Sequence, residues 1–284
     1  IVPGALPAAE QAAMQQAAGY QDDLMIMSEP YPLWAIETAD AAVKAKLGFF
    51  AAADNGVVLA PDINVFRELK LRLLNGTHTL SCGLACLAGF ETVRQAMEDE
   101  DMEHCIATLM LEEMAPAITD IYITENAAAE FANSVLDRFR NPHIAHQWLA
   151  ITMQYTSKMR MRNIPVLLRH YQRSQEPPAL IALGFAAYLL FMRSEHAADG
   201  SYKGTVNGKK YTIQDDHAGW FHEQWKRLEA SVLVKEVLAN TALWGTDLTE
   251  LKGFAAAVTR MLQALLNDGA ATVIKSFNHA KVGR

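Results

Sequence analysis

The chain has 284 residues, of which 51% are hydrophobic and 20% charged, with a formal net charge of −7. That length and apolar content support a large packed core, while the scattered basic residues leave no electrostatic footprint for a nucleic-acid backbone and argue against a nucleic-acid partner. Three cysteines, Cys82, Cys86 and Cys105, are too few and too unevenly spaced for a disulfide framework, and they read as small buried residues of a reducing cytoplasm.

Taken in order, the chain opens at Ile1, without a methionine and without a charged segment leading into an apolar one. No signal peptide is expected, and further sequence is expected upstream. Residues 8–18 read as a helix, and 24–27 and 33–36 as short strands around Pro30 and Pro32. From Pro61 the pattern changes: Pro61-Asp62 is a helix entry, and the helix it opens carries Lys70 to Thr79. Apolar residues three and four apart predict further helices over 88–98, 101–115, 125–139, 142–157, 163–173, 178–194, 217–240 and 247–266, with another near the C-terminus. The longest apolar run, 179–192, falls short of the ~20 residues that cross a bilayer and predicts a central buried helix rather than a membrane partner. Within 202–213, Asn207-Gly208 lies between two β-prone arms and predicts a hairpin.

The expected fold class is therefore mainly α, a multi-helical domain with a small β-hairpin and short strands near the N-terminus. Residues 1–55 are expected to form a junction segment packed on a helical domain over 56–284. No Gly-x-Gly-x-x-Gly loop, Walker sequence or Gly-x-Ser-x-Gly elbow occurs in the chain, so nothing in it reads as a nucleotide-binding loop.

One stretch, KLRLLNGTHT at 70–79, threads polar groups through an apolar segment. On an α-helix Asn75 and His78 are neighbours, and Lys70 lies about 80° around the axis from His78 at about 100° per residue. The three side chains then converge on one wall of a cleft. A partly buried lysine exchanges a proton with a substrate oxygen, an asparagine amide donates to the oxygen where negative charge collects, and a histidine fixes a substrate hydroxyl or orients the lysine. That set suits interconversion of a ketone and a secondary alcohol. Gly76 between them leaves room for a substrate or another backbone to approach. His78 is also four before Cys82, but no fourth ligand at a recognised spacing completes a tetrahedral site, so no metal is expected.

Lys70-x4-Asn75-x2-His78 resembles the catalytic motif of the mannitol dehydrogenase family of polyol-specific long-chain dehydrogenases. Further stretches agree in order along the chain: Ile1-Val2-Pro3-Gly4, Ala88-Gly89-Phe90-Glu91-Thr92-Val93 and Arg138-Phe139-Arg140-Asn141-Pro142. Gln214-Asp215-Asp216 and Asp247-Leu248-Thr249 fit the uronate-reducing branch of that family. The resemblance implies a two-domain enzyme that uses NAD, bound mainly by an N-terminal Rossmann domain outside this chain, with this chain as the helical catalytic domain. It implies Lys70 as general acid/base, Asn75 as a group polarising the reacting oxygen and His78 as holder of substrate or lysine. A second oxyanion-stabilising asparagine belongs to the other domain. The implied substrate is a six-carbon keto acid, D-tagaturonate reduced to D-altronate, with D-fructuronate or a neutral polyol as alternatives.

A keto acid needs a cationic site for its carboxylate. Arg138 and Arg140 in the Arg-Phe-x-Asn-Pro signature are candidates, together with the basic run 157–162, where Lys158 and Arg162 share a helix face and Arg160 points away. Arg138 and Lys158 are the favoured pair. Of His143 and His146, three apart, one is expected to line the cleft and the other to face solvent. A non-catalytic helical binding module is the alternative of another class, against which three polar groups inside an apolar segment weigh.

Overall fold

The computed structural model describes residues 6–26, 33–53 and 56–282, and the chain divides into two compact units, 1–67 and 68–284. In the first unit α1 (Ala8–Ala18) ends at Gly19, whose φ of 77° suits a residue without a Cβ. Strand β1 (Trp34–Glu37), helix α2 (Ala41–Ala53) and strand β2 (Val57–Ala60) follow, and the strands pair in parallel, Trp34 opposite Val57 through Glu37 opposite Ala60. A parallel pair needs a crossover, and α2 supplies it. The strand expected over 33–36 is β1. Residues 23–26 are turn and irregular backbone instead of a strand, while Met27, Pro30 and Pro32 lie outside the described residues. Helix α2 had no sequence signal because AAVKAKLGFFAAA carries apolar residues on every side. The division falls at Arg67 rather than 55, because β2 pairs back to β1 and so belongs with the segment before it.

The first unit ends within short α3 (Asn64–Glu68), where the Asp62 carboxylate accepts the Asn64 N–H at 2.6 Å. The second unit is almost wholly helical and opens with a π-helical turn (Leu69–Leu74) that leads directly into α4 (Asn75–Ala88). Gly89 (φ 95°) stops α4, and Thr92 with Gln95 forms a capping box that starts α5 (Val93–Glu98), so the helix expected over 88–98 is interrupted at its beginning. Next come α6 (Glu100–Thr108), a second π turn (Leu109–Met114), α7 (Ala115–Ile118) and α8 (Glu125–Phe139). The helix expected over 142–157 is only partly present. Residues 141–147 are irregular, α9 (Trp148–Ile151) and α10 (Tyr155–Lys158) are short, and a third π turn (Met159–Asn163) leads into α11 (Ile164–Arg173).

Helix α12 (Ala179–Phe191) is the expected buried centre, with Leu180 to Leu189 all buried. Strands β3 (Glu195–His196), β4 (Tyr202–Val206) and β5 (Lys209–Thr212) form the hairpin sheet, and Asn207 and Gly208 turn it with φ of 49° and 76°. Both positive values are what a two-residue primed turn requires. The chain then adds α13 (Ala218–Arg227), α14 (Ala230–Ala239), α15 (Thr241–Trp244), α16 (Phe254–Asp268) and α17 (Ala270–Val282). Among the described residues no helix is long and apolar enough to cross a membrane.

Helix α12 packs between α4 and α16. Phe185 meets Trp244 and Phe254 edge to face, each pair of ring centroids at 5.5 Å, and Tyr188 meets Phe221 in the same way. Its first turn is capped from outside: both Glu113 carboxylate oxygens accept N–H groups, from Leu180 and Ile181, at 2.8 Å. Gly184 sets the approach of α12 to α4, since a Cβ there would lie 3.0 Å from the Leu80 carbonyl oxygen and 2.8 Å from Leu80 Cδ2. A backbone oxygen cannot swing aside. Gly184→Ala is therefore expected to destabilise the domain by about 1–3 kcal/mol, the usual cost of overpacking, read as a lowered urea midpoint with an unchanged slope.

Candidate active site

The motif stretch is not a plain α-helix. Through Leu69–Leu74 the hydrogen bonds skip one residue further, and the Asn75 N–H bonds the Lys70 carbonyl, five residues back. Five residues of α-helix turn a side chain about 140° away from its start, whereas five residues closed by such a bond make little more than one turn. Asn75 thus stands nearly one turn above Lys70, and His78, three residues on in regular α4, lies on the next turn. The π turn aligns the three residues better than the α geometry expected from sequence. Lys70 is exposed rather than partly buried, Asn75 is half-buried, and His78 is buried at 8% exposure. Among the described residues neither the Lys70 ammonium nor the Asn75 amide makes a side-chain hydrogen bond or ion pair.

His78 sits among rings. Phe139, from the Arg-Phe-x-Asn-Pro stretch at the end of α8, stacks on it with centroids 4.0 Å apart and planes 4° apart. His146 and Trp148 approach edge-on at 5.3 and 5.8 Å. Burial, with positive charge from His146, Arg162 and Arg138, holds the His78 pKa well below its ordinary value and keeps the ring neutral at neutral pH. Among the described residues His78 Nε2 and Trp148 Nε1 are both buried with no hydrogen-bond partner, and a buried polar atom left so costs about 1–3 kcal/mol.

The wall facing α4 is the segment 154–163. Its entry is held by the Gln214-Asp215-Asp216 stretch: Asp215 accepts the Thr156 N–H at 2.7 Å and the Thr156 hydroxyl at 2.9 Å, and Gln154, with φ of 52°, donates to Asp216 at 2.9 Å. From this wall Arg162 Nη1 donates to the Asn75 carbonyl at 3.3 Å and to Thr79 Oγ1 at 3.0 Å. Asn163 donates to the Gly76 carbonyl at 2.9 Å, and Arg72 reaches back to the Met161 and Arg162 carbonyls. Gly76 is small because a Cβ would meet Met114 Cε at 2.8 Å and Asn163 Nδ2 at 3.2 Å. The space is taken by neighbouring side chains, where the sequence suggested the approach of a substrate or another backbone.

The remaining expected residues separate cleanly. His146 lies beside His78, Arg138 acts on His78 electrostatically, and Lys158 acts on His146, whose pKa burial and that charge hold down. Lys158 is half-buried, donates to the Ile151 carbonyl at 2.9 Å, and has its own pKa lowered by burial and by Arg162. Arg140 is not brought into this group: it is exposed and ion-paired with Glu103 and Asp137. Arg160 points to the Ala242 carbonyl, and His143 is exposed. The sequence offered Arg162 as a candidate through its i,i+4 spacing from Lys158 but favoured Arg138 and Lys158, while Phe139 and Trp148 were left out because aromatic residues packed on a histidine carry no local signal. Burial raises all three thiols, Cys82 and Cys105 to about 12, so none is a nucleophile near neutral pH.

Comparison with known proteins matches residues 62–266 to the mannitol dehydrogenase C-terminal domain. The altronate oxidoreductase of Pectobacterium carotovorum is 34% identical over 281 residues, 95% of this chain and 55% of that protein. That of Yersinia enterocolitica is 31% identical, covering 96% and 55%. The structure of Pseudomonas fluorescens mannitol 2-dehydrogenase, a ternary complex with NAD and D-mannitol, shares the fold with a TM-score of 0.73 at 22% identity, over 98% of this chain and 53% of that one. The chain spans about half the length of these proteins. With most of its length inside that match and the motif residues set on one helical run, the chain belongs to the mannitol dehydrogenase C-terminal domain family.

Proposed function

We propose that this chain is the catalytic C-terminal domain of an NAD-dependent oxidoreductase that reduces the ketone of D-tagaturonate to the secondary alcohol of D-altronate, reversibly, in the cytoplasm. The observation that carries the reading is the Lys70, Asn75 and His78 alignment, with their polar groups unpaired within the described residues. The substrate is favoured by the altronate oxidoreductase name of relatives at 31–34% identity, and NAD by the dinucleotide in the mannitol 2-dehydrogenase complex. Three free thiols agree with a reducing compartment.

The residues fit the reacting end of a nicotinamide cofactor and not its phosphates. No glycine-rich phosphate loop occurs in the chain, whereas Lys70 and Asn75 offer unpaired donors beside a dry aromatic corner. When bound, the cofactor supplies the hydride that reduces the carbonyl carbon. Lys70 delivers a proton to the carbonyl oxygen as that carbon is reduced, so ketone, hydride and proton together give the alcohol. Asn75 donates a hydrogen bond to the same oxygen as charge develops on it. Neutral His78, held flat against Phe139, turns Nε2 to a substrate hydroxyl and fixes the sugar chain. Arg138 and Lys158 supply positive charge beside His78 and His146.

In the full-length protein, Lys70→Ala is expected to lower kcat for D-tagaturonate by about 10²–10⁴, the usual worth of a positioned acid, with little change in thermal unfolding because Lys70 is exposed. NADH oxidation with D-tagaturonate, D-fructuronate and D-fructose offered separately checks both residue and substrate; equal turnover of all three, or an active variant, overturns the reading. His78 also predicts a pH dependence of stability. Unfolded, it titrates near 6.5, and folded it titrates lower. As pH falls through 6.5 the unfolded chain takes up a proton that the native ring refuses. Native stability should then drop by about 1.4 kcal/mol per pH unit until the native pKa is reached, and His78→Gln should flatten that slope in urea titrations.

A further inference from the structure

Beside α4 the half-buried Lys158 and Arg162 lie on one face and act on each other electrostatically, and among the described residues neither meets an acidic side chain. Their hydrogen-bond acceptors are neutral: the Ile151 carbonyl for Lys158, and the Asn75 carbonyl and Thr79 hydroxyl for Arg162. Elsewhere in this region basic side chains are neutralised or turned away. Arg72 is clamped by both Glu68 oxygens, Arg140 by Glu103 and Asp137, and Arg160 leans on the Ala242 carbonyl.

Arg162 is the member best placed to take a ligand. It bonds the residues on either side of the His78 turn, Asn75 and Thr79, through Nη1 alone, so Nη2 and Nε keep their donors. Those two form one edge of the planar fork, which matches the two oxygens of a carboxylate. Its guanidinium is pinned from behind by Nη1 and cannot swing to solvent without breaking both contacts. A half-buried cation costs free energy unless it is paired, and near the reacting carbonyl the partner that repays that cost is an anion on the substrate.

We propose that Arg162 is a specificity-determining residue, receiving the substrate's carboxylate on its Nη2/Nε edge with Lys158 supplying a second positive charge. This rests on the reading of the chain as a sugar-acid reductase. The competing source of the same anionic chemistry is a cofactor phosphate, and the proximity of Arg162 to Asn75 and Thr79, at the reacting end, favours the carboxylate.

The test uses full-length wild type, Arg162→Met and Arg162→Lys, with D-tagaturonate and D-tagatose, which carries a hydroxymethyl group where the uronate has its carboxylate. The ratio of kcat/KM for the uronate to that for the neutral ketose should fall roughly a hundredfold in Arg162→Met, the scale of a lost charged hydrogen-bond pair, and recover in part in Arg162→Lys. An equal loss on both sugars would reduce Arg162 to a helix tie, and a raised KM for NADH with an unchanged ratio would assign it to a phosphate; either overturns the proposal. Calorimetric binding of D-altronate and of the neutral polyol D-altritol separates this from failure of the enzymatic reading. If wild type turns over neither sugar yet binds altronate, and Arg162→Met does not, the anion site stands without the reaction. Absence of altronate binding by wild type sinks the site itself.

Discussion

The site depends on the coupling of two π-helical turns. A turn closed by i→i+5 bonds is wider than its neighbours and hydrogen-bonded in poorer geometry, so it persists where the surroundings hold it. Here Leu69–Leu74 and Met159–Asn163 hold each other. Arg72, on the first, donates to two carbonyls of the second, while Arg162 and Asn163, on the second, donate to the Asn75 and Gly76 carbonyls just past the first. Glu68 completes the tie by accepting from Arg72 at 3.0 and 3.1 Å and pairing with Arg169 at 3.2 Å. Each link meets a main-chain oxygen or a charge that would otherwise be buried at a cost. The same links fix the rotation of Lys70 relative to Asn75, so a structural necessity and the alignment of the functional groups are one arrangement.

Around that tie, packing sets the chemical state of the residues. Phe139 against one face of His78, with His146 and Trp148 at its edges, excludes water from the ring and keeps it neutral. Nearby cations push in the same direction, since a protonated His78 would face them at close range. The Arg-Phe-x-Asn-Pro stretch therefore has a physical task at its second position, a flat plate for the histidine. Gln214-Asp215-Asp216 has another, closing the entry to the cationic segment through Thr156 and Gln154. Ala88 to Val93 works more locally, with Gly89 ending one helix and Thr92 beginning the next.

Much of this was legible in the sequence where a single local signal decides the outcome. The helices over 8–18 and 125–139, the buried run at 179–192 and the Asn207-Gly208 turn each follow from periodicity, apolar length or turn chemistry, and each is present. What was hidden depends on tertiary context. A π turn reads in sequence like any α-helix, so the rotation of Lys70 relative to Asn75 and His78 was misjudged. The β1–α2–β2 unit escaped because Ala41–Ala53 has no polar face to betray a period. Arg140 looked equivalent to Arg138 two residues away, and its pairing with Glu103, far along the chain, could not be read locally.

The gradient of exposure along the motif gives the proposed reaction a direction. Lys70 meets solvent, Asn75 is half covered and His78 is sealed in. A proton donor must be recharged once per turnover, and an ammonium in contact with water is recharged without a relay, so no chain of buried titratable groups is needed behind it. The groups proposed to hold substrate face the opposite demand. Hydrogen bonds to His78 and charge pairing with Arg162 gain strength as water is excluded, and both lie toward the covered end. On the proposed reading, one helical run separates proton supply at its wet end from recognition at its dry end, and the π turn between them lets both ends address the same substrate.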